Sequence, residues 1–262
     1  MKKILSCGLG VDSTALAILC QQNNLIPDAI IFADTGGEKP ETYHYKSIFE
    51  EWLKINNMPP LITVRGQRTR KGKVVNSLEE HCLVGEKLPD IAYGYKACSL
   101  DWKRDPVQKW VKQTFPDEPI TYLISYNADE RRRMRVSEKQ DISFSYPLID
   151  AEWDRLKCIK EIIESDLPIP CKSACFYCPS SKKEEVIMLS KRHPDLVKRA
   201  IEIERAAKKT NTSVKGLGRS FSWEYLIKND NAQFSLFPDS MIFDCSCIEA
   251  GVNLEQYWRQ FP

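Results

Sequence analysis

Three groups of residues carry chemistry by type and spacing. The first is the run Ser6-Cys7-Gly8-Leu9-Gly10-Val11-Asp12-Ser13-Thr14, which follows the apolar pair Ile4-Leu5 and precedes Ala15-Leu16-Ala17-Ile18-Leu19. It reads as a strand, a glycine turn and a helix start. Glycine lets backbone approach a ligand closely, and the free N–H groups of a helix's first turn, at the positive end of its dipole, attract an anion. A phosphate is the anion expected there, with Ser13 and Thr14 as added hydroxyl donors. Asp12 would repel a bare phosphate unless a cation lies between them, which points to a magnesium-bound nucleotide. The run has no Gly-Lys-Ser/Thr and is not a Walker A loop. A plain helix cap by Asp12 or Ser13 is the alternative reading of the same residues.

The second group, Asp34-Thr35-Gly36-Gly37-Glu38-Lys39-Pro40-Glu41-Thr42-Tyr43, follows the buried-strand pattern Ala29-Ile30-Ile31-Phe32-Ala33. Open α/β sheets place ligand sites just past the C-terminal ends of strands, so the two groups are expected to meet. The third group is the cysteines, ten in 262 residues. Cys171-x3-Cys175-x2-Cys178-Pro179 brings three thiolates within reach of one centre and lacks a fourth ligand. Soft sulfur ligands without histidine favour a [4Fe–4S] cluster over zinc, although spacing does not separate the two, and incidental core cysteines are a third reading. Cys20 and Cys158 fall in apolar helical patterns and are expected as small buried hydrophobes. Cys7, Cys82, Cys245 and Cys247 stay unassigned.

The elements that must position these groups follow an α/β rhythm. Strands are expected at Leu61–Val64 and Ile120–Ser125, and helices at Tyr45–Ile55, Pro106–Gln113, from Pro147 to about Ser165, Ser181–Arg192 and Asp195–Lys209, the last two broken at His193-Pro194. Residues 1–165 are expected to form the nucleotide-binding α/β domain and 166–262 a Cys-cluster and helical C-terminal region. In Gly216-Leu217-Gly218-Arg219-Ser220-Phe221-Ser222-Trp223, a helix cap with core aromatics is preferred over a base-stacking surface. The chain is 42% hydrophobic and 28% charged, with a net charge of +2. That balance suits a sizeable core and gives no global argument for nucleic acid. The first apolar run is far shorter than the ~20 residues of a membrane span, so a cytoplasmic enzyme with no membrane partner and no disulfides is expected.

Together, Gly8-Leu9-Gly10-Val11-Asp12-Ser13 and Asp34-Thr35-Gly36 through Pro40-Glu41-Thr42-Tyr43 resemble the PP-loop ATP pyrophosphatases, and within them the phosphoadenylylsulfate (PAPS) reductase-like family. The resemblance covers most of residues 1–180 and implies an adenine nucleotide alpha-hydrolase-like sheet with flanking helices. It implies ATP and Mg2+ held by Ser6, Gly8, Gly10, Asp12, Ser13, Asp34, Thr35 and Gly36. The family segment after the fourth strand places Glu130 and Arg133 toward the nucleotide or the acidic group of the substrate, with Asp12, Ser13 and Arg133 in catalytic roles. It also supplies Cys98 as the fourth ligand beside Cys171, Cys175 and Cys178.

Sulfonucleotide reductases of this family end in Glu-Cys-Gly-Leu-His, whereas this chain has Asp244-Cys245-Ser246-Cys247. Reduction is therefore disfavoured. The resemblance then points to the ATP pyrophosphatase component of DNA phosphorothioation systems, with DNA as acceptor, a cysteine desulfurase as sulfur donor and other components of a modification system as partners. A sulfonucleotide reductase, a tRNA thiolation enzyme and a non-catalytic nucleotide or redox sensor are the alternatives. Because residues 6–14 and 171–178 lie far apart in the chain, phosphate chemistry and the cysteine loop are expected to be separable.

Overall fold

The computed structural model describes residues 1–210 and 213–229, so Cys245 and Cys247 lie outside the described residues. In chain order the elements begin β1 (Lys2–Cys7), α1 (Val11–Gln22), β2 (Ala29–Asp34), α2 (Pro40–Ile55), β3 (Leu61–Arg65), β4 (Arg68–Arg70), β5 (Lys73–Val75) and α3 (Leu78–Gly85). A short α4 (Ala97–Ser99) runs through a π turn at Leu100–Arg104 into α5 (Asp105–Thr114). Then come β6 (Ile120–Leu123), β7 (Ile142–Ser145), α6 (Pro147–Asp150), α7 (Arg155–Glu164), α8 (Lys183–Arg192), α9 (Pro194–Lys208) and α10 (Trp223–Asn229).

Five strands form one parallel sheet in the order β3-β2-β1-β6-β7, and β4 pairs with β5 as a separate antiparallel hairpin. Alternation along β2 divides the core. Ile30 and Phe32 pack with α1, α2 and α7, while Ala29, Ile31 and Ala33 pack with Val107 and Val111 of α5. Both faces are thus covered by helices, as a parallel sheet requires. Cys20 and Cys158 are buried in the first of these cores. Among the described residues no helix is long and apolar enough to cross a membrane.

A third core lies off the sheet. It joins Val75, α3, Ala92 and Trp102 to Cys175–Tyr177, α8, α9 and α10. Position 165 therefore separates segments in sequence while α3 and its neighbours pack with the later helices. The elbow at His193 is tied to the first turn of α2, His193 Nε2 lying 2.9 Å from Glu41 Oε1. Buried Glu204 of α9 organises the segment before α10: its carboxylate accepts N–H bonds from Leu217 (2.8 Å) and Trp223 (2.9 Å) and the Ser222 hydroxyl. Trp223 is fully buried, which is the geometry of a capped helix with a core aromatic rather than of a stacking surface.

Several boundaries differ from the sequence expectation for identifiable reasons. Helix α2 starts at Pro40, five residues before Tyr45, because proline at the first helical position needs no N–H partner. The helix expected from Pro147 to Ser165 is two helices, divided where Glu152 takes a left-handed φ of 58°. Strand β7 and the β4–β5 hairpin are short and carry weak periodicity, and sequence reasoning missed both.

Candidate functional site

Strands β2 and β3 lie on one side of β1, and β6 and β7 on the other, so the chain reverses its order between β1 and β6. A crevice outside the carboxyl ends of the strands at such a point is where open α/β folds bind ligands. Ser6, on the central strand, is nevertheless exposed, and so is Gly8 in the turn that follows. The turn holds Leu9 in a left-handed conformation, φ 57°, with its side chain fully buried. Gly10 then leads into α1.

Ser13 closes this turn from within. Its hydroxyl accepts from the Gly10 amide at 3.2 Å and donates to the Gly10 carbonyl at 3.0 Å, and it is 4% exposed. The first helical amide bond runs from Thr14 to the Gly10 carbonyl. The amides of Val11, Asp12 and Ser13 are the first-turn donors that a helix leaves without intrahelical partners. Burial pushes the neighbouring Cys7 thiol up to about 11, so it stays neutral at ordinary pH.

Asp12 is held from two elements that sequence reasoning did not connect with it. Asn127, in the turn after β6, donates from Nδ2 to Oδ1 at 3.1 Å, and Arg155 donates from Nη1 to Oδ2 at 3.0 Å. Asp154 caps α7 by accepting from the Lys157 amide at 2.7 Å, which fixes Arg155 as the helix's first residue. The Arg155 amide in turn donates to Asp129 Oδ2 at 3.1 Å. The readable signal was a helix-start Asp154-Arg155 pair, but nothing in spacing says which strand loop it faces. Glu130 and Arg133 pair with each other. The Arg133 guanidinium lies 4.1 Å from the Tyr126 ring centroid, and exposed Arg131 and Arg132 flank it on the rim.

The second motif builds a scaffold rather than a row of free donors. Asp34 Oδ1 accepts from the Gly36 amide and the Tyr43 hydroxyl, each at 2.8 Å, and Oδ2 accepts from Arg65 Nε (3.0 Å) and Nη2 (2.7 Å). Burial alone would raise the Asp34 carboxyl, but these four donors outweigh it and hold the group below its ordinary value. Gly36 has φ 74°, and a Cβ there would lie 2.7 Å from that of Ser77. The Thr35 hydroxyl lies 3.1 Å from the Cys175 sulfur. Buried Glu38 takes Lys103 Nζ at 3.0 Å, while its Oε2 has no partner among the described residues.

The cysteine loop sits on this same edge of the sheet. Phe176 donates its amide to the Gly37 carbonyl at 2.8 Å, and a backbone bridge joins Cys175 to Glu38. A Cβ added at Gly10 would meet the Ser173 Cβ at 3.8 Å. The glycine turn at residues 8–10 and the cysteine loop, far apart in the chain, are neighbours in space. Of the expected ligands, Cys98, Cys175 and Cys178 join the helical core with Cys82, and Cys171 packs against the sheet core. Among the described residues no three His, Cys, Asp or Glu side chains form a group able to hold a metal ion. Burial pushes the Cys175 thiol up to about 12.

The surface depression lined by Glu50, Lys54, Asn57, Met58, Pro60 and Leu61 lies at the other end of the sheet from all these groups. Comparison with protein-family models finds no match, and comparison with curated proteins finds none either.

Proposed function

We propose that this chain is a PP-loop ATP pyrophosphatase that adenylates an acceptor oxygen so that sulfur can replace it, the acceptor being the DNA backbone. The observation that carries the reading is the glycine turn at the point where the strand order reverses between β1 and β6, where Asp12 is bonded to both Asn127 and Arg155. A first helical turn whose amides have no intrahelical partner, an aspartate and a guanidinium together suit the polyphosphate of a nucleotide and its cation. The resemblance to the PAPS reductase-like family supplies the direction of the chemistry.

In this reading the amides of Val11, Asp12 and Ser13 bind phosphate oxygens, and Ser13 keeps the turn closed. Asp12 is the residue that would hold Mg2+, which when bound polarises phosphate oxygens as a Lewis acid. The acceptor oxygen bonds to the α-phosphorus as the bond to the β-phosphate oxygen breaks and pyrophosphate leaves. The outer sulfur of a persulfide supplied by a cysteine desulfurase partner then bonds to the activated acceptor centre as AMP leaves with the acceptor's former oxygen, and a thiol reductant cleaves the remaining S–S bond to the carrier, itself becoming a disulfide. The cysteine loop, seated beside the turn, borders the path to that centre, and no step is assigned to a metal held there. Other proteins of a modification system would present the DNA.

The test is the product pair. Purified protein incubated with ATP, Mg2+ and sulfide, with and without DNA, should release pyrophosphate and AMP in equal amounts, water taking the acceptor's place where DNA is absent. Formation of ADP and phosphate, or no cleavage under either condition, would refute the proposal.

A further inference from the structure

We infer that Arg155 is a polyphosphate-binding residue of the crevice, a site the sequence motifs do not contain; the inference rests on the nucleotide reading given above. Three observations carry it. Arg155 is the first residue of α7, where the positive end of the helix dipole disfavours a cation. A residue that breaks a local rule at a ligand edge points to a functional demand. Its guanidinium also faces the phosphate turn, with Nη1 3.0 Å from Asp12 Oδ2. Finally, its Nε is buried and has no hydrogen-bond partner among the described residues, a cost that an anion bound beside it removes.

The geometry distinguishes Arg155 from the other cations of this edge. Arg65 spends both Nε and Nη2 on Asp34, Arg133 is paired with Glu130 and stacked on Tyr126, and Lys103 is paired with Glu38. Arg155 spends one side-chain N–H on Asp12 and is only partly exposed, so its remaining donors form a fork of fixed direction beside the first turn of α1. A planar fork with free N–H groups suits oxygens spread over adjacent phosphates. The ligand class is therefore a nucleoside triphosphate or pyrophosphate, with the charge on Asp12 balanced by guanidinium and cation together.

The experiment measures binding of Mg-ATP, pyrophosphate and adenosine by titration calorimetry to wild type, Arg155→Ala and Arg155→Lys, with melting curves to establish folding. Arg155→Ala should weaken Mg-ATP and pyrophosphate by about tenfold or more and leave adenosine unchanged, and Arg155→Lys should recover part of the loss. A role confined to positioning Asp12 would instead be rescued fully by lysine, or would alter melting without this selectivity for phosphates. Either of those results, or a folded Arg155→Ala protein that binds Mg-ATP as wild type does, overturns the inference while leaving the nucleotide reading standing. Wild-type protein that binds neither Mg-ATP nor pyrophosphate overturns both.

Discussion

The Thr35 hydroxyl lies 3.1 Å from the Cys175 sulfur although 140 residues separate them in the chain. This contact, with the Phe176 amide bond to Gly37, fastens the cysteine loop to the strand loop beside the glycine turn of β1. Whatever moves one loop must move the other. The physical reason is the parallel sheet: every strand presents its C-terminal loop to one edge, so loops distant in sequence converge there.

Gly37 is where that convergence can be broken. A Cβ at this position would lie 2.6 Å from both the Cε1 and hydroxyl oxygen of buried Tyr177. Gly37→Ala should destabilise the fold by about 1–3 kcal/mol through overpacking. It should also weaken ATP binding, because the cysteine loop is pushed off the Gly10 turn. Urea unfolding and ATP titration on the same preparation check both effects; unchanged stability would mean that the two loops are not in firm contact.

A second prediction concerns acid stability. The Gly36 amide, Tyr43 hydroxyl and Arg65 guanidinium hold the Asp34 carboxyl below its ordinary value of 3.8. A depressed carboxyl stabilises the fold fully above that ordinary value, and the contribution disappears as pH falls through the lower folded-state value. Asp34→Asn should lower stability near neutral pH by about 1–3 kcal/mol. Its deficit relative to wild type should shrink on acidification below pH 4. A deficit that is constant from pH 7 to pH 3, followed by thermal melting, would show that the charge of Asp34 is not what the turn uses.

Metal content tests the division of the cysteines between two cores. Cys171 packs with the sheet core, whereas Cys98, Cys175 and Cys178 pack with the helical core. Iron and zinc measured in anaerobically purified Cys171→Ser should therefore match wild type. Equal loss of iron in Cys171→Ser and Cys175→Ser would instead mean that the loop closes around one centre when metal is present.

How much of this was legible follows from what each residue's signal depends on. The strand-turn-helix at residues 4–19 and the buried run 29–33 announce themselves by local periodicity, and the structure places β1, α1 and β2 there. Asp34 was legible as a polar residue at a strand end, but not as a carboxylate saturated by Arg65 from the next strand, because only sheet register brings the two together. Asn127 and Arg155 were missed for the same reason: they reach Asp12 across 115 and 143 residues, and no spacing rule encodes that distance. The cysteine spacing is a local pattern and says nothing of which core each thiol joins. It suggested one centre, while the fold turns Cys171 and Cys175 to different cores.

Gly8 separates a glycine that the fold needs from one that a ligand needs. At Gly36 and Gly37 a side chain collides with protein, whereas a Cβ at Gly8 has nothing within 4 Å and its φ is not in the left-handed region. Gly8→Val should therefore fold as wild type, with a stability change within about 0.5 kcal/mol, since an exposed substitution away from strain or packing costs little. In the proposed reading its side chain would crowd the first amides of α1 that bind phosphate oxygens, and ATP binding should fall by about tenfold or more. Circular dichroism melts and ATP titration test the two halves separately. If folded Gly8→Val binds ATP like wild type, backbone approach at this glycine is not used and the phosphate contact lies elsewhere on the turn; if it fails to fold, the space at Gly8 is not open and the turn is structural.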